Sequence, residues 1–274
     1  MRFIGKGGFS TVYAATENGS NKRVAIKAIH RNATEEIEDA QREAYLLSQF
    51  KSPFIVKYIE NFLDQDFLYI VMEMCELGDL AQMIQLTANN KKMFKEERII
   101  DFLIELSLGL HEIHQKKILH RDIKSSNIFL TNDHTVKLGD LGLSKQLSRT
   151  NDLACTILGT PQFMSPELCL YGKYGKKNDI WSIGIVMYEL MNLKLPFCAF
   201  KQQDLMRKIV NEPHQPLNTV YSQELRNLVD KMLSKNPHNR PSTEDILRNP
   251  AIEGRRNALL QRFSQYTFHI SNGE

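Results

Sequence analysis

The sequence has little excess charge and no long apolar run. Its 274 residues carry 35 Lys plus Arg against 32 Asp plus Glu, which leaves a formal net charge of +3. A protein that binds nucleic acid through charge needs a concentrated basic surface, so we expect no nucleic-acid partner. No apolar segment approaches the roughly 18 to 20 residues that cross a bilayer, so we expect no membrane partner.

Cysteine is scarce and scattered. The four cysteines, Cys75, Cys155, Cys169 and Cys198, show no C-x-x-C spacing, and the chain opens without an apolar signal segment. Neither a disulfide framework nor a paired-cysteine metal site is therefore expected. A reducing compartment, cytoplasmic or nuclear, fits this pattern best.

Hydrophobic periodicity divides the chain into a β-rich part and a helical part. Short β-type runs at 11–16, 23–29, 55–62 and 67–74 predict a small sheet. One helical stretch, 34–50, interrupts these runs and carries a single acid, Glu43, on its apolar face. Amphipathic segments follow, which predict a mainly helical second part, at 96–114, 178–191, 203–211 and 222–233. We expect one domain of α+β class with a β-rich lobe at 1–75, a helical lobe at 76–250, and a C-terminal helix and tail at 251–274.

A glycine-rich segment, GKGGFSTV at 5–12, lies between two predicted strands. Glycines let backbone N–H groups approach a polyphosphate closely, although an ordinary hairpin turn would have the same composition. Lys27 follows in the next strand, and a lysine that reaches phosphates needs a fixed counter-charge, for which Glu43 is the candidate. For either residue taken singly, an unrelated surface charge remains the alternative.

The most informative strings are HRDIKSSN at 120–127 and DLG at 140–142. Phosphoryl transfer needs an acid that orients the attacking hydroxyl and accepts its proton, and it needs oxygen ligands for magnesium. Asp122 fits the first role, and Asn127 and Asp140 fit the second.

These strings resemble the catalytic loop and the metal-binding motif of eukaryotic protein kinases, in the order and spacing of that family. The resemblance covers about residues 4–250. It implies a bilobal fold, with a small antiparallel sheet and one helix in the first lobe and a larger, mainly helical second lobe. It also implies transfer of the γ-phosphate of ATP, with Mg²⁺, to hydroxyl groups of protein substrates.

The resemblance assigns roles residue by residue. Catalytic roles fall to Asp122, Lys124, Lys27 and Glu43, and magnesium ligation to Asn127 and Asp140. Contacts with the nucleotide are implied for sixteen positions: Ile4, Gly5, Lys6, Gly7, Gly8, Phe9, Ser10, Thr11, Val12, Ala25, Lys27, Met72, Glu73, Cys75, Asp79 and Phe129.

Further residues resemble supporting parts of the same family. Glu167, in the string SPE, resembles the end of the activation segment, and Arg240 resembles its arginine partner. Asp179 resembles the acid that bonds the backbone of the catalytic loop. Lys124 and Thr160 resemble the serine/threonine branch, in which the threonine bonds the catalytic aspartate and lysine.

Within that branch, the strings LYIVMEMC at 68–75, NIFL at 127–130 and DLG are similar to the NimA-related kinases, although other families share each string singly. Met72 would gate the pocket behind the adenine ring, and Phe129 would lie under it. Ser10 replaces the third glycine of the phosphate loop, and Leu77 stands where this group often has glycine. The resemblance implies cell-cycle roles and adds the cytoskeleton or centrosome as a location, and the abrupt start before Ile4 suggests a trimmed catalytic domain.

The resemblance also implies control by phosphorylation, because Arg121 precedes the catalytic aspartate. Thr156 and Thr160 are the predicted phosphosites of the activation loop, modified by an upstream kinase or by autophosphorylation in trans.

Several alternatives to this interpretation remain open. A pseudokinase scaffold and a small-molecule kinase are the competing functions. A zinc site at His111, His114 and His120 is disfavoured because the spacing differs from H-E-x-x-H. The basic residues Arg255, Arg256 and Arg262 are expected to form a solvated face.

Overall fold

The fold is known from a computed structural model that describes residues 1–6, 10–30, 34–141, 145–146, 154–155 and 160–266. The predicted loop residues Gly7, Gly8 and Phe9 and the predicted phosphosite Thr156 lie outside this part.

The first lobe is a five-stranded antiparallel sheet with one helix, α1 (Thr34–Ser48). The strands lie in the order β1-β2-β3-β5-β4, with these bounds: β1 Arg2–Lys6, β2 Ser10–Thr16, β3 Arg23–His30, β4 Tyr58–Asp64 and β5 Phe67–Glu73. Ala40 and Ala44 of α1 pack with buried strand residues that include Leu68 and Ile70. Because alanine side chains are small, the helix can lie close to the sheet. This close packing sets the distance between Glu43 and β3.

The strand predicted at 55–62 begins only at Tyr58. The preceding segment takes its hydrogen bonds from the second lobe instead, because Leu138 N–H donates to the Phe54 carbonyl and Val56 N–H donates to the Leu138 carbonyl, both at 2.8 Å. Ile55 thus forms a parallel bridge with Leu138. The connection between α1 and β4 is therefore attached to the helical lobe.

The second lobe is mainly helical. Its helices are α2 Leu80–Asn89, α3 Glu96–Gln115, α4 Pro166–Tyr171, α5 Lys176–Asn192, α6 Gln202–Asn211, α7 Gln223–Met232, α8 Thr243–Leu247 and α9 Pro250–Arg262. Its strands pair as β6–β9, β7–β8 and β10–β11, with these bounds: β6 Ile118–Leu119, β7 Ile128–Leu130, β8 Val136–Leu138, β9 Lys145–Gln146, β10 Ala154–Cys155 and β11 Lys173–Tyr174. Short 3-10 turns lie at Ser125–Asn127, Pro161–Phe163 and Pro237–Asn239. The expected α+β, bilobal fold is confirmed.

Helices α3 and α5 form the centre of the second lobe, where Trp181 and Tyr188 are fully buried. Gly109 of α3 lets the first lobe's connection approach, since a Cβ at this position would lie 2.8 Å from the Phe54 carbonyl oxygen. Among the described residues, no helix combines the length and the apolar character needed to cross a membrane.

Candidate active site

The site begins with a buried ion pair between the two layers of the first lobe. Lys27 lies in the middle of β3, opposite Val12 of β2 and Ile70 of β5. Its Nζ lies 2.6 Å from Glu43 Oε2 and 3.5 Å from Asp140 Oδ1. Burial disfavours the charged lysine, but the charges of Glu43 and Asp140 outweigh burial and raise the pKa of Lys27. The lysine is therefore held charged and in one direction.

The β7–β8 hairpin brings the two predicted magnesium ligands together. Ile128 opposes Leu138, so Asn127 and Asp140 flank the same end of the hairpin, and Gly139 N–H donates to the Asn127 carbonyl at 3.0 Å. Asp140 has a φ of 55°, and its side chain is 42% exposed. Aspartate tolerates this left-handed conformation better than most residues do, and here it turns the carboxylate towards Lys27.

A dense hydrogen-bond network surrounds Asp122. Its Oδ2 accepts from Lys124 Nζ at 2.7 Å and from Asn127 Nδ2 at 2.8 Å, and its Oδ1 accepts from Thr160 Oγ1 at 3.2 Å. Lys124 Nζ also donates to Thr160 Oγ1 at 3.0 Å. The carboxylate is thus held in one orientation by residues from two segments, and Thr160 makes the contacts with the aspartate and the lysine that the resemblance implies.

Asp179, in the first turn of α5, holds the backbone of the catalytic loop through hydrogen bonds. The backbone N–H groups of His120 and Arg121 donate to its carboxylate at 3.2 and 3.1 Å, as the resemblance predicts. The sequence did not indicate that His114 Nε2, at 2.7 Å, and Tyr174 Oη, at 2.8 Å, share this carboxylate. Burial alone would raise the pKa of Asp179, but its hydrogen bonds, first that from His114, hold the pKa below its ordinary value. The same bonds hold Arg121 at its positive φ of 71°.

The end of the predicted activation segment is fixed by a buried bidentate ion pair. Arg240 Nη1 and Nη2 each lie 2.7 Å from an oxygen of Glu167, which confirms the expected pairing. Arg240 also donates to the carbonyl oxygens of Ser234 and Lys177. Since its donors are satisfied on several sides, the pair anchors α4 to the body of the helical lobe.

The residues that the resemblance places around the adenine ring lie in β3, β5 and β7. Ala25 opposes Met72 in the β3–β5 register. Phe129 forms a bridge with Asp79, and its ring covers Gly139, where an added Cβ would lie only 2.6 Å from Phe129 Cε2. Gly139 therefore permits an aromatic floor that larger residues would displace.

Two residues implied as nucleotide contacts, Glu73 and Cys75, are restricted by their surroundings. The Glu73 carboxylate pairs with Lys137 Nζ at 2.8 Å and accepts from Lys57 N–H at 2.6 Å. Because the side chain is engaged in this way, we expect Glu73 to contact a nucleotide through its backbone. Cys75 is buried, and burial raises the pKa of its thiol to about 12. The thiol is therefore protonated and unreactive at neutral pH.

The glycine-rich segment is described only at its two ends. Gly5 opposes Val12 and Lys6 opposes Thr11 in the β1–β2 pairing, and Ile4 precedes them in β1. Ser10 opens β2 opposite Ile29. These pairings set β1 beside β2, which in turn neighbours β3, the strand of Lys27.

The donor set around Asp140 suits magnesium. The Asn127 amide nitrogen is committed to Asp122, which leaves Oδ1 as the acceptor that Asn127 can offer, and Asp140 flanks the same end of the hairpin. Magnesium is commonly held by one or two such oxygens together with phosphates and water. Within the described ranges, no group of three or more His, Cys, Asp or Glu could hold a metal, so a zinc site is not supported there.

The chain matches known proteins over most of its length. The family model for the protein kinase domain matches residues 1–252. The chain is 42% identical over 247 residues to the serine/threonine-protein kinase Nek3 of Mus musculus, which covers 90% of this chain and 48% of that protein. It is 41% identical over 249 residues to Nek1 of Mus musculus, covering 90% of this chain and 20% of that protein. It is 39% identical over 256 residues to Nek5 of Homo sapiens, covering 92% and 36%.

The predicted similarity to the NimA-related group is confirmed by these matches, although the chain spans less than half the length of each of these three relatives. Both the family match and the described geometry extend over the two lobes. This chain therefore belongs to the protein kinase family.

Proposed function

We propose that the chain is the catalytic domain of an active serine/threonine protein kinase of the NimA-related group, which transfers the γ-phosphate of ATP to serine or threonine hydroxyls of protein substrates. The observation that carries this proposal is the convergence of three segments on one place. Lys27 from the sheet lobe contacts both Glu43 and Asp140, which follows β8. The catalytic loop joins them through Asn127, which donates to Asp122 and accepts from Gly139 N–H, next to Asp140.

Each residue has a role that its contacts support. Lys27, held by Glu43, binds the α- and β-phosphates, and Lys124 stabilises charge on the transferring phosphate. Asp122 orients the substrate hydroxyl and accepts its proton as the new O–P bond forms. Magnesium held by Asp140 and Asn127 would neutralise charge on the phosphates.

The competing function is a scaffold that binds nucleotide or partners without turnover. A scaffold has no physical need for a catalytic-loop carboxylate that three donors hold in one orientation.

The test is transfer of labelled γ-phosphate from Mg-ATP to a generic basic protein, comparing the native chain with Asp140→Asn. Phosphoserine or phosphothreonine formed only by the native chain supports the enzyme. Bound nucleotide without transfer, even after phosphorylation of the activation segment, supports the scaffold.

Activation by phosphorylation is part of the proposal. Arg121 is only 7% exposed, and its Nε and Nη2 have no hydrogen-bond partner among the residues that the structure describes. Burial lowers the pKa of this guanidinium, although the neighbouring Tyr174 and Asp179 oppose the shift. Two buried guanidinium donors without hydrogen-bond partners are costly, and a phosphate would supply charge and acceptors.

Thr156 is the proposed bearer of that phosphate, added by an upstream kinase or in trans. Wild type is first fully dephosphorylated and then incubated with Mg-ATP, in parallel with Thr156→Ala. We expect activity to return only in wild type. Equal activity of the two proteins throughout would remove Thr156 as the switch.

Two further expectations stay predictions. They are the division into lobes at residues 75 and 250, and the cytoplasmic, nuclear or centrosomal location.

A further inference from the structure

Helix α9 continues beyond the last residue that the family model matches, residue 252, yet it contacts the lobe's core along its length. Ile252 and Leu259 are almost completely buried in the main hydrophobic cluster. Of its three basic residues, Arg255 and Arg262 are exposed as expected and Arg256 is half-buried, but Arg255 also makes a specific ion pair. Arg255 Nε and Nη2 each donate at 2.6 Å to the carboxylate of Asp101 in α3. The Asp101 side chain is almost completely buried. This bidentate pair sets the direction of the helix against α3.

Phe263 directly follows the helix and reaches the connection between the two lobes. Its ring meets the ring of Phe54 edge to face, with centroids 4.9 Å apart and an interplanar angle of 69°. Such edge-to-face contacts between aromatic rings are specific in geometry. The residue that follows α9 therefore packs against the segment that joins α1 to β4.

Phe54 is held tightly on its other sides. Its carbonyl accepts from Leu138 N–H of β8, two residues before Asp140, and the same carbonyl rests against Gly109 of α3. Leu47 and Phe50, at and just beyond the end of α1, share its hydrophobic cluster. A displacement of Phe54 would therefore be transmitted both to β8 and to the helix that carries Glu43.

We propose that Phe263 is a positioning residue of the catalytic domain, which packs on Phe54 and thereby keeps Glu43 of α1 in contact with Lys27. The proposal rests on the kinase function proposed above. Without the Phe263 ring, the connection can relax into the vacated space. The 2.6 Å contact between Lys27 and Glu43 is then made in only a fraction of molecules, although neither residue has changed.

The test compares Phe263→Ala with Ile252→Ala, a control that removes another buried side chain of the same helix about 16 Å away along its axis. We expect Phe263→Ala to lower kcat about tenfold with little change in the KM for protein substrate, since small misplacements far from the reacting atoms have large effects on rate. Ile252→Ala should lower the melting temperature and leave kcat nearly unchanged. An equal loss of kcat in both variants would reduce Phe263 to a general stabilising role.

A double-mutant cycle with Glu43→Gln tests the route of the effect. If Phe263 acts through Glu43, the Phe263→Ala substitution should cost much less in the Glu43→Gln background than in wild type. Losses that simply multiply would overturn the proposal. Should Phe263→Ala fail to fold, the milder Phe263→Leu enters the same cycle.

Hydrogen exchange supplies a readout that does not depend on activity. Amides at 44–57 should exchange faster in Phe263→Ala than in Ile252→Ala, and equal protection in the two would contradict the proposal. A wild-type protein that transfers no phosphate refutes the kinase function, whereas an active wild type with an unaffected Phe263→Ala refutes only the positioning role.

Discussion

Replacing Glu105 by glutamine should make the protein more stable at alkaline pH and change its stability little at acid pH. Glu105 lies in α3 and is fully buried. One oxygen accepts from Val136 N–H at 2.8 Å, and the other has no hydrogen-bond partner within the described part of the chain. Burial raises the pKa of Glu105 from an ordinary 4.5 to about 7, Asp101 adds to the rise, and the Val136 N–H and the charges of Arg98 and Arg262 oppose it.

The sign and size follow from this shift. Because the folded protein holds the proton more tightly than the unfolded chain, the associated stability is present below pH 4.5 and is lost as the pH rises through 7. A rise of about 2.5 pKa units corresponds to about 3 kcal/mol of unfolding free energy. Glutamine cannot ionise and keeps an acceptor for Val136 N–H. The variant should therefore gain about 3 kcal/mol over wild type between pH 5 and pH 8, less the small part already lost at pH 5.

The assay is urea-induced unfolding of wild type and Glu105→Gln at several pH values between 5 and 8. Glu224→Gln, on the exposed side of α7, is the matched control and should show no such pH-dependent gain. A stability difference between wild type and Glu105→Gln that stays constant across this range would refute the reasoning, because it would mean that Glu105 does not titrate there.

Three further predictions concern the site and its support. Asp122→Asn should lower kcat by about 10² to 10⁴ while nucleotide binding persists, measured by phosphate transfer and by titration calorimetry; transfer at the native rate would exclude Asp122 as the base. Arg240→Ala should cost about 3 to 5 kcal/mol in thermal unfolding, because it leaves Glu167 without its partner; a change below about 1 kcal/mol would show that the pair adds little. Gly139→Ala should raise the KM for ATP about tenfold by displacing Phe129, and combining it with Phe129→Ala should relieve that steric conflict; an unchanged KM in the single variant would argue against an adenine floor.

Local chemistry was readable from the sequence where the functional groups lie close along the chain. Asp122, Lys124 and Asn127 come from one short string, so their shared site follows from a single loop. Asp140 follows a strand that pairs back on the first, and hairpin pairing places it beside Asn127. Glu43 was recognisable because a lone acid on an apolar helix face needs a partner, and the partner is Lys27.

The sequence by itself thus determined the residue types that carry the chemistry, the order of most of the longer helices and strands, and the family to which the chain belongs. It did not indicate that His114 and Tyr174 share the Asp179 carboxylate, or that Arg255 pairs with a buried acid. Nor did it indicate that one oxygen of Glu105 finds no hydrogen-bond partner among the residues that the structure describes. Periodicity and short motifs describe neighbours along the chain. Contacts between distant segments exist only once α3, α5 and α9 are packed, so the tertiary structure alone decided them.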